Sequence, residues 1–231
     1  SNGANTKLGT IFTPYEYFYA WNKANDEDKV SNGISSLFTM IEGAFSKDRL
    51  TAILRDFIFY PDDSKKSEAI VTRYPQYFAA TKILESICAH MRPEGDGKGG
   101  TYFGATGCGK TYAMMFLSRL LNTHRRDELN NPTIIIIVDR EDLDDQSSEL
   151  FVTAKRYLGE ENVRSIETRG DLEQTLRDKP SGGVYVTTIQ KFCESTGLLS
   201  DRSNIICISD EAHRTQTGVG SKLKKTNEGV F

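Results

Sequence analysis

Gly104, Ala105, Thr106, Gly107, Cys108, Gly109, Lys110 and Thr111 fit G-x-x-x-x-G-K-[ST] in full, and no other feature constrains the fold of this chain as much. A loop of this kind is entered from a strand and left into a helix. Thr101-Tyr102-Phe103 is the expected strand ahead of it, and the run Tyr112 to Leu121 the expected helix behind it. The chemistry follows from the residue types. Glycines let the backbone close around phosphate oxygens, while the loop N–H groups and the helix N-terminus supply positive potential. Lys110 is expected to reach the β- and γ-phosphates of ATP, and the Thr111 hydroxyl to ligate Mg²⁺. Cys108 reads as a small residue filling a tight turn rather than as a reactive thiol.

Beyond this loop, short apolar stretches alternate with helical ones. Thr133 to Val138, Val163 to Ile166, Val184 to Thr187 and Ile205 to Ile208 are β-branched runs bounded by turn residues, the pattern of strands buried on both faces. The alternation predicts an α/β fold with a parallel sheet. Up to about Tyr60 the pattern is helical instead, through Leu37, Met40, Ile41, Phe45 and then Leu50, Ile53, Leu54, Phe57, Ile58. A polar loop from Pro61 to Lys66 reads as a boundary. From Arg73 a helical pattern resumes through Tyr77, Ile83, Leu84 and Ile87, closed by the glycine-rich connector Gly95 to Gly100.

With 231 residues the chain is long enough for one sizeable core and a small appended subdomain. Its formal net charge of −3 argues against a free-standing basic nucleic-acid binder, although a groove shared with another domain stays open. The four cysteines, Cys88, Cys108, Cys193 and Cys207, stand far apart, which suggests neither a disulfide framework nor a zinc site. A reducing, cytoplasmic setting is expected, with no membrane partner.

About a hundred residues past the loop, the apolar run from Ile205 ends in Asp210-Glu211-Ala212-His213. Strand ends line the ligand crevice of a parallel sheet, so Asp210 is expected to hold Mg²⁺ and Glu211 to orient and deprotonate the attacking water. An acidic pair at a strand end is alone as compatible with a solvated turn. Joined to the glycine loop, it resembles motif II of superfamily 2 helicases and translocases. The segments Arg73-Tyr-Pro-Gln76-Tyr-Phe, Asn131-Pro-Thr-Ile, Val138-Asp-Arg-Glu-Asp-Leu-Asp-Asp-Gln146, Val186-Thr-Thr-Ile-Gln190-Lys-Phe192 and Asp210-Glu-Ala-His-Arg-Thr-Gln216 are similar to the motor subunit of type I restriction enzymes. So are Gly9-Thr-Ile-Phe-Thr-Pro14 and Leu54-Arg-Asp-Phe-Ile58.

That resemblance implies a RecA-like P-loop NTPase lobe over residues 67–231, preceded over 1–66 by a helical lead-in or linker that follows a nuclease domain. It implies Gln76 as the reader of the adenine edge, with a solvated glutamine at a helix start as the alternative. It implies DNA-backbone contacts by the segment around Asp139, Arg140 and Gln146 and by Thr187, Thr188 and Gln190; for the threonines, ordinary strand packing is the alternative. His213 and Arg214 would couple the ATP and DNA sides, or simply make structural hydrogen bonds. The implied partners are double-stranded DNA, the methyltransferase and DNA-specificity subunits, and a second motor lobe and nuclease domain of a longer chain. The next motif of lobe one and all of lobe two are absent, so the chain alone is expected to bind ATP–Mg²⁺ weakly and to hydrolyse it negligibly. Pro61-Asp62-Asp63-Ser64-Lys65 echoes a nuclease signature, but its adjacent acids read as a solvated loop. A strand-separating helicase and a nucleotide-binding switch without nucleic-acid work remain the other function classes.

Overall fold

The computed structural model describes residues 1–2, 4–61, 69–105, 107–138, 149–189 and 198–210. They fall into two units, Ser1–Arg125 with Arg156–Gly159, and Arg126–Lys155 with Glu160–Phe231. The boundary expected after residue 66 lies outside the described residues.

The first unit opens with an irregular segment containing a 3-10 turn at Tyr15–Tyr17. Helices α1 (Ser36–Glu42) and α2 (Lys47–Asp56) follow. Their apolar spacing produces the helices, yet of those positions only Met40, Ile53 and Phe57 are buried, and Leu37, Ile41, Phe45 and Leu54 face solvent. The helical pattern read through Ile58 stops earlier than expected. Ile58–Phe59 is instead a strand, β1, paired antiparallel with β2 (Ile70–Val71) in the register Ile58↔Val71 and Phe59↔Ile70. Burial with a period of two takes over here. Phe57 packs on Tyr77 and Phe116 at ring distances of 4.7 and 5.4 Å, and Phe59 on Tyr157 at 5.3 Å. Asp56, 1% exposed, anchors the end of α2, with its carboxylate 2.8 Å from both Arg55 Nε and His124 Nε2.

Helix α3 (Tyr74–His90) begins where a proline in the first turn fits, at Pro75, and the extended Arg73 precedes it. Helix α4 (Lys110–Thr123) starts at the end of the glycine loop and buries Ala113, Met114, Met115, Phe116, Leu117 and Leu120, apolar on nearly every side, with α3 packed along it.

The second unit is a sheet of four parallel strands: β3 (Thr133–Val138), β4 (Val163–Ser165), β5 (Val184–Thr188) and β6 (Ile205–Ser209), in the order β4-β5-β3-β6. Helix α5 (Arg169–Asp178) precedes β5 and is capped by Thr168, whose hydroxyl accepts from Asp171 N–H at 3.1 Å. Leu172 and Leu176 of α5 pack against Ile135, Ile137, Ile166 and Tyr185. The α/β class and parallel sheet match the sequence pattern. Burial on both faces holds for β3 and β5 but not for β6, an edge strand of the described sheet that exposes Cys207 and Ser209.

Glu160, 8% exposed, ties this sheet's lower end. Burial alone would raise its carboxyl pKa, but the N–H groups of Asn162 and Gly183 and the Asn162 amide outweigh that and hold it below the ordinary value. A depressed folded pKa contributes stability above the unfolded value, about 4.3, which is lost as pH falls through the folded one. The stability gap between the parent protein and Glu160→Gln is therefore expected to narrow as pH falls from above about 4.3 through the lower, folded-state value. Denaturant unfolding across that range measures it; a gap independent of pH would assign the ties to geometry alone.

Candidate nucleotide site

The loop from Gly104 to Gly109 is built by what its glycines permit. Gly107 and Gly109 take φ of +77° and +82°, the left-handed region that favours glycine. Around Gly107 a side chain would meet nothing within 4 Å, whereas at Gly109 a Cβ would lie 2.3 Å from Gln76 Nε2. At Gly104 it would lie 2.8 Å from Cys108 Sγ. Cys108 N–H donates to the Ala105 carbonyl at 3.1 Å, closing the turn, and Lys110 and Thr111 then open α4. Burial, with Cys108 beside it, pushes the Tyr102 phenol up to about 12, so it stays neutral.

The expected strand at Thr101-Tyr102-Phe103 is not formed. Phe103 is 95% exposed, and among the described residues this segment has no ladder partner. A strand exists only through its pairing, and a three-residue apolar run is too short to demand one. The open glycine cradle and the helix behind it still fit a phosphate chain and its metal: Lys110 is a point charge at the helix start, and Thr111 offers a hydroxyl in the first turn.

Gln76 sits against the glycine loop. It is 4% exposed, so it is not a solvated surface amide. Its Oε1 accepts from Arg73 N–H at 2.9 Å, and its Nε2 donates to the carbonyls of Cys108 and Gly109 at 3.1 and 3.2 Å. Its amide thus ties the start of α3 to two loop peptides.

A cavity of about 260 Å³ adjoins the loop. Gly107, Gly109 and Gln76 form one side, and Tyr19, Thr72 and Arg73 are among the residues of the others. The motifs gave no signal for Tyr19, which comes from the irregular lead-in, whereas Arg73 heads one of the segments quoted above.

The second unit carries the remaining candidates that are described. Asp210 follows β6, half-buried, its N–H donating to the Ile137 carbonyl at 2.8 Å. Thr187 and Thr188 end β5 with 0% exposure, and among the described residues their hydroxyls have no hydrogen-bond partner. Their burial fits the alternative of ordinary strand packing for these two side chains. Thr106, Asp139, Arg140, Gln146, Gln190, Glu211, His213 and Arg214 lie outside the described residues.

A left-handed glycine loop running into a buried helix, in a chain with a parallel α/β sheet, defines the class of P-loop nucleotide-binding proteins. The family model described as SWI2/SNF2 ATPase matches residues 75–228, and the chain belongs to that family. The chain is 31% identical to the type I restriction enzyme HindI endonuclease subunit of Haemophilus influenzae, over 96% of this chain and 22% of that protein. It is 30% identical to a putative type I restriction enzyme MjaIXP endonuclease subunit of Methanocaldococcus jannaschii, over 97% of this chain and 23% of that one. A third relative, from Mycoplasma pneumoniae, is the C-terminal part of a putative type I restriction enzyme MpnIIP endonuclease subunit; it is 29% identical over 88% of this chain and 98% of its own length. The chain thus spans under a quarter of the first two relatives. Among the described residues no helix is long and apolar enough to cross a membrane.

Proposed function

We propose that this chain is the ATP-binding motor lobe of the restriction subunit of a type I restriction endonuclease, driving ATP-dependent translocation of double-stranded DNA before cleavage. The observation that carries the proposal is the glycine cradle of Gly107 and Gly109 opening into α4 at Lys110 and Thr111. Its setting, a chain similar over 96% of its length to a type I restriction endonuclease subunit, supplies the biological context. ATP with Mg²⁺ is the ligand. Lys110 neutralises the phosphates, Thr111 and Asp210 hold the metal, and Glu211 activates water. Arg140, Gln146 and Gln190 meet the DNA backbone. DNA-specificity and methyltransferase subunits, a nuclease domain and a second motor lobe complete the cytoplasmic assembly.

Stimulation of ATP hydrolysis by intact duplex DNA in the full-length protein tests this. Stimulation by single strands or RNA alone points to a helicase, and an unresponsive ATPase to a nucleotide switch.

Gln76→Glu probes the loop itself. The carboxylate keeps the acceptor for Arg73 N–H and loses both donors to the loop, so binding of ATP and of base-free tripolyphosphate is expected to weaken alike. Two lost hydrogen bonds correspond to about tenfold. Calorimetric titration with ATP, GTP and tripolyphosphate is the measurement, and a change confined to the ATP-to-GTP ratio would return Gln76 to the base.

A further inference from the structure

Helix α1 turns its faces the opposite way from an ordinary surface helix. Leu37, Phe38 and Ile41, with Ile34 of the 3-10 turn Gly33–Ser35 that leads into it, recur at helical spacing and share one side. That side faces solvent, with Ile34 81% and Phe38 64% exposed, and Phe45 just past the helix end is exposed as well. The inward side carries Ser36, Thr39 and Met40 instead. Two contacts there fix the roll of the helix. Ser36 Oγ donates to Thr6 Oγ1 at 3.1 Å, and at Gly43 a Cβ would lie 2.5 Å from Nε1 of the buried Trp21. Rolling α1 to bury its apolar side would break the first contact and lift Gly43 from the indole it abuts. Single exposed apolar residues are ordinary on a protein surface, but a contiguous stripe of them marks a surface that another body covers.

We infer that the apolar side of α1 is the surface on which the nuclease domain of the same polypeptide docks. This rests on the proposed function, which joins such a domain to the motor lobe, and adds where the two meet. The stripe lies outside the span that matches the ATPase family, residues 75–228, yet inside the 96% of the chain that matches a type I restriction endonuclease subunit, of which this chain spans 22%. It therefore belongs to the restriction subunit rather than to the ATPase fold. Its size favours a tethered occupant. Helix α1 is about 10 Å long and about 10 Å across, far below the about 800 Å² per partner of a stable interface between separate molecules. A domain on the same chain meets the stripe at a high effective concentration, so a small apolar contact holds it. A second copy or a separate subunit has no such help. A membrane fits no better, because α1 carries no basic residue and its polar side is already buried. Of the two domains that the proposed function adds to the chain, the nuclease is the one placed ahead of the lead-in that contains α1, so its tether is the shorter.

The test is photo-crosslinking in the full-length protein, with Phe38 replaced by p-benzoylphenylalanine and the crosslinked peptides identified by mass spectrometry. The expected product joins α1 to a nuclease-domain peptide of the same polypeptide, with no gain in mass on a denaturing gel. Its yield is expected to fall about tenfold when Ile41→Asp is added, because a carboxylate does not enter an apolar contact unpaired, and to persist with Ile41→Leu. Crosslinks to the second motor lobe, to another subunit or to a second copy overturn the inference, as does the absence of any crosslink. A yield unchanged by Ile41→Asp, or lost equally with Ile41→Leu, overturns it too. ATP hydrolysis with duplex DNA, measured on the same protein before irradiation, reports separately on the motor. The expected crosslink without DNA-stimulated hydrolysis leaves the interface standing and sinks the motor reading, and stimulated hydrolysis without the crosslink does the reverse.

Discussion

Replacement of Lys110 by alanine is expected to weaken ATP binding by about 10- to 150-fold, the equivalent of one charge-assisted contact. Lys110 opens α4 directly behind the two left-handed glycines, which is where the proposed site needs its ammonium. Those N–H groups and the helix dipole carry only partial charge, and a triphosphate carries several full ones. The lysine supplies the one full positive charge that the motif provides. Alanine is an excellent helix former, so α4 should persist and the loss should appear in affinity rather than in stability. Calorimetry with ATP and tripolyphosphate, alongside a thermal melt, separates the two. Unchanged affinity in a folded variant would remove Lys110 from the phosphate site.

A larger effect is expected on turnover from Glu211→Gln in the full-length protein. The amide keeps the side chain's shape and loses its ability to take a proton from water, and a positioned general base contributes about 10²–10⁴ in rate. ATP should still bind, because the proposed site assigns the phosphates and metal to Lys110, Thr111 and Asp210 and not to Glu211. Phosphate release measured with duplex DNA, together with ATP affinity, gives both quantities. Retained hydrolysis would show that another group activates the water. Loss of binding along with turnover would make Glu211 a part of the binding site instead.

The two substitutions address different physics, and the Gln76 variant completes the separation. Lys110 is tested through charge on the phosphates, Gln76 through the conformation of the loop and Glu211 through turnover. Loss of tripolyphosphate binding in Lys110→Ala and Gln76→Glu, but not in Glu211→Gln, is the combined pattern expected.

What the sequence by itself determined are the features set by local chemistry. Thr133 to Val138 could only be an interior strand, since a run of five isoleucines and valines has no polar face to give to water, and it is one. The G-x-x-x-x-G-K-T loop placed the start of α4, because a left-handed glycine cannot continue a helix. Only the tertiary structure decided what depends on residues far apart in the chain. Ile58 and Phe59 left the helical pattern because β2 and the rings of Tyr77, Phe116 and Tyr157 were there to receive that segment. Thr187 and Thr188, on opposite faces of the sheet, are both buried, which no alternation within five fully buried residues reveals. Gln76 is buried rather than solvated because the loop 32 residues further on receives its amide. The wall of the cavity joins Tyr19 to Arg73, two side chains that no local pattern connects and that meet because Trp21 docks on the rings of α3.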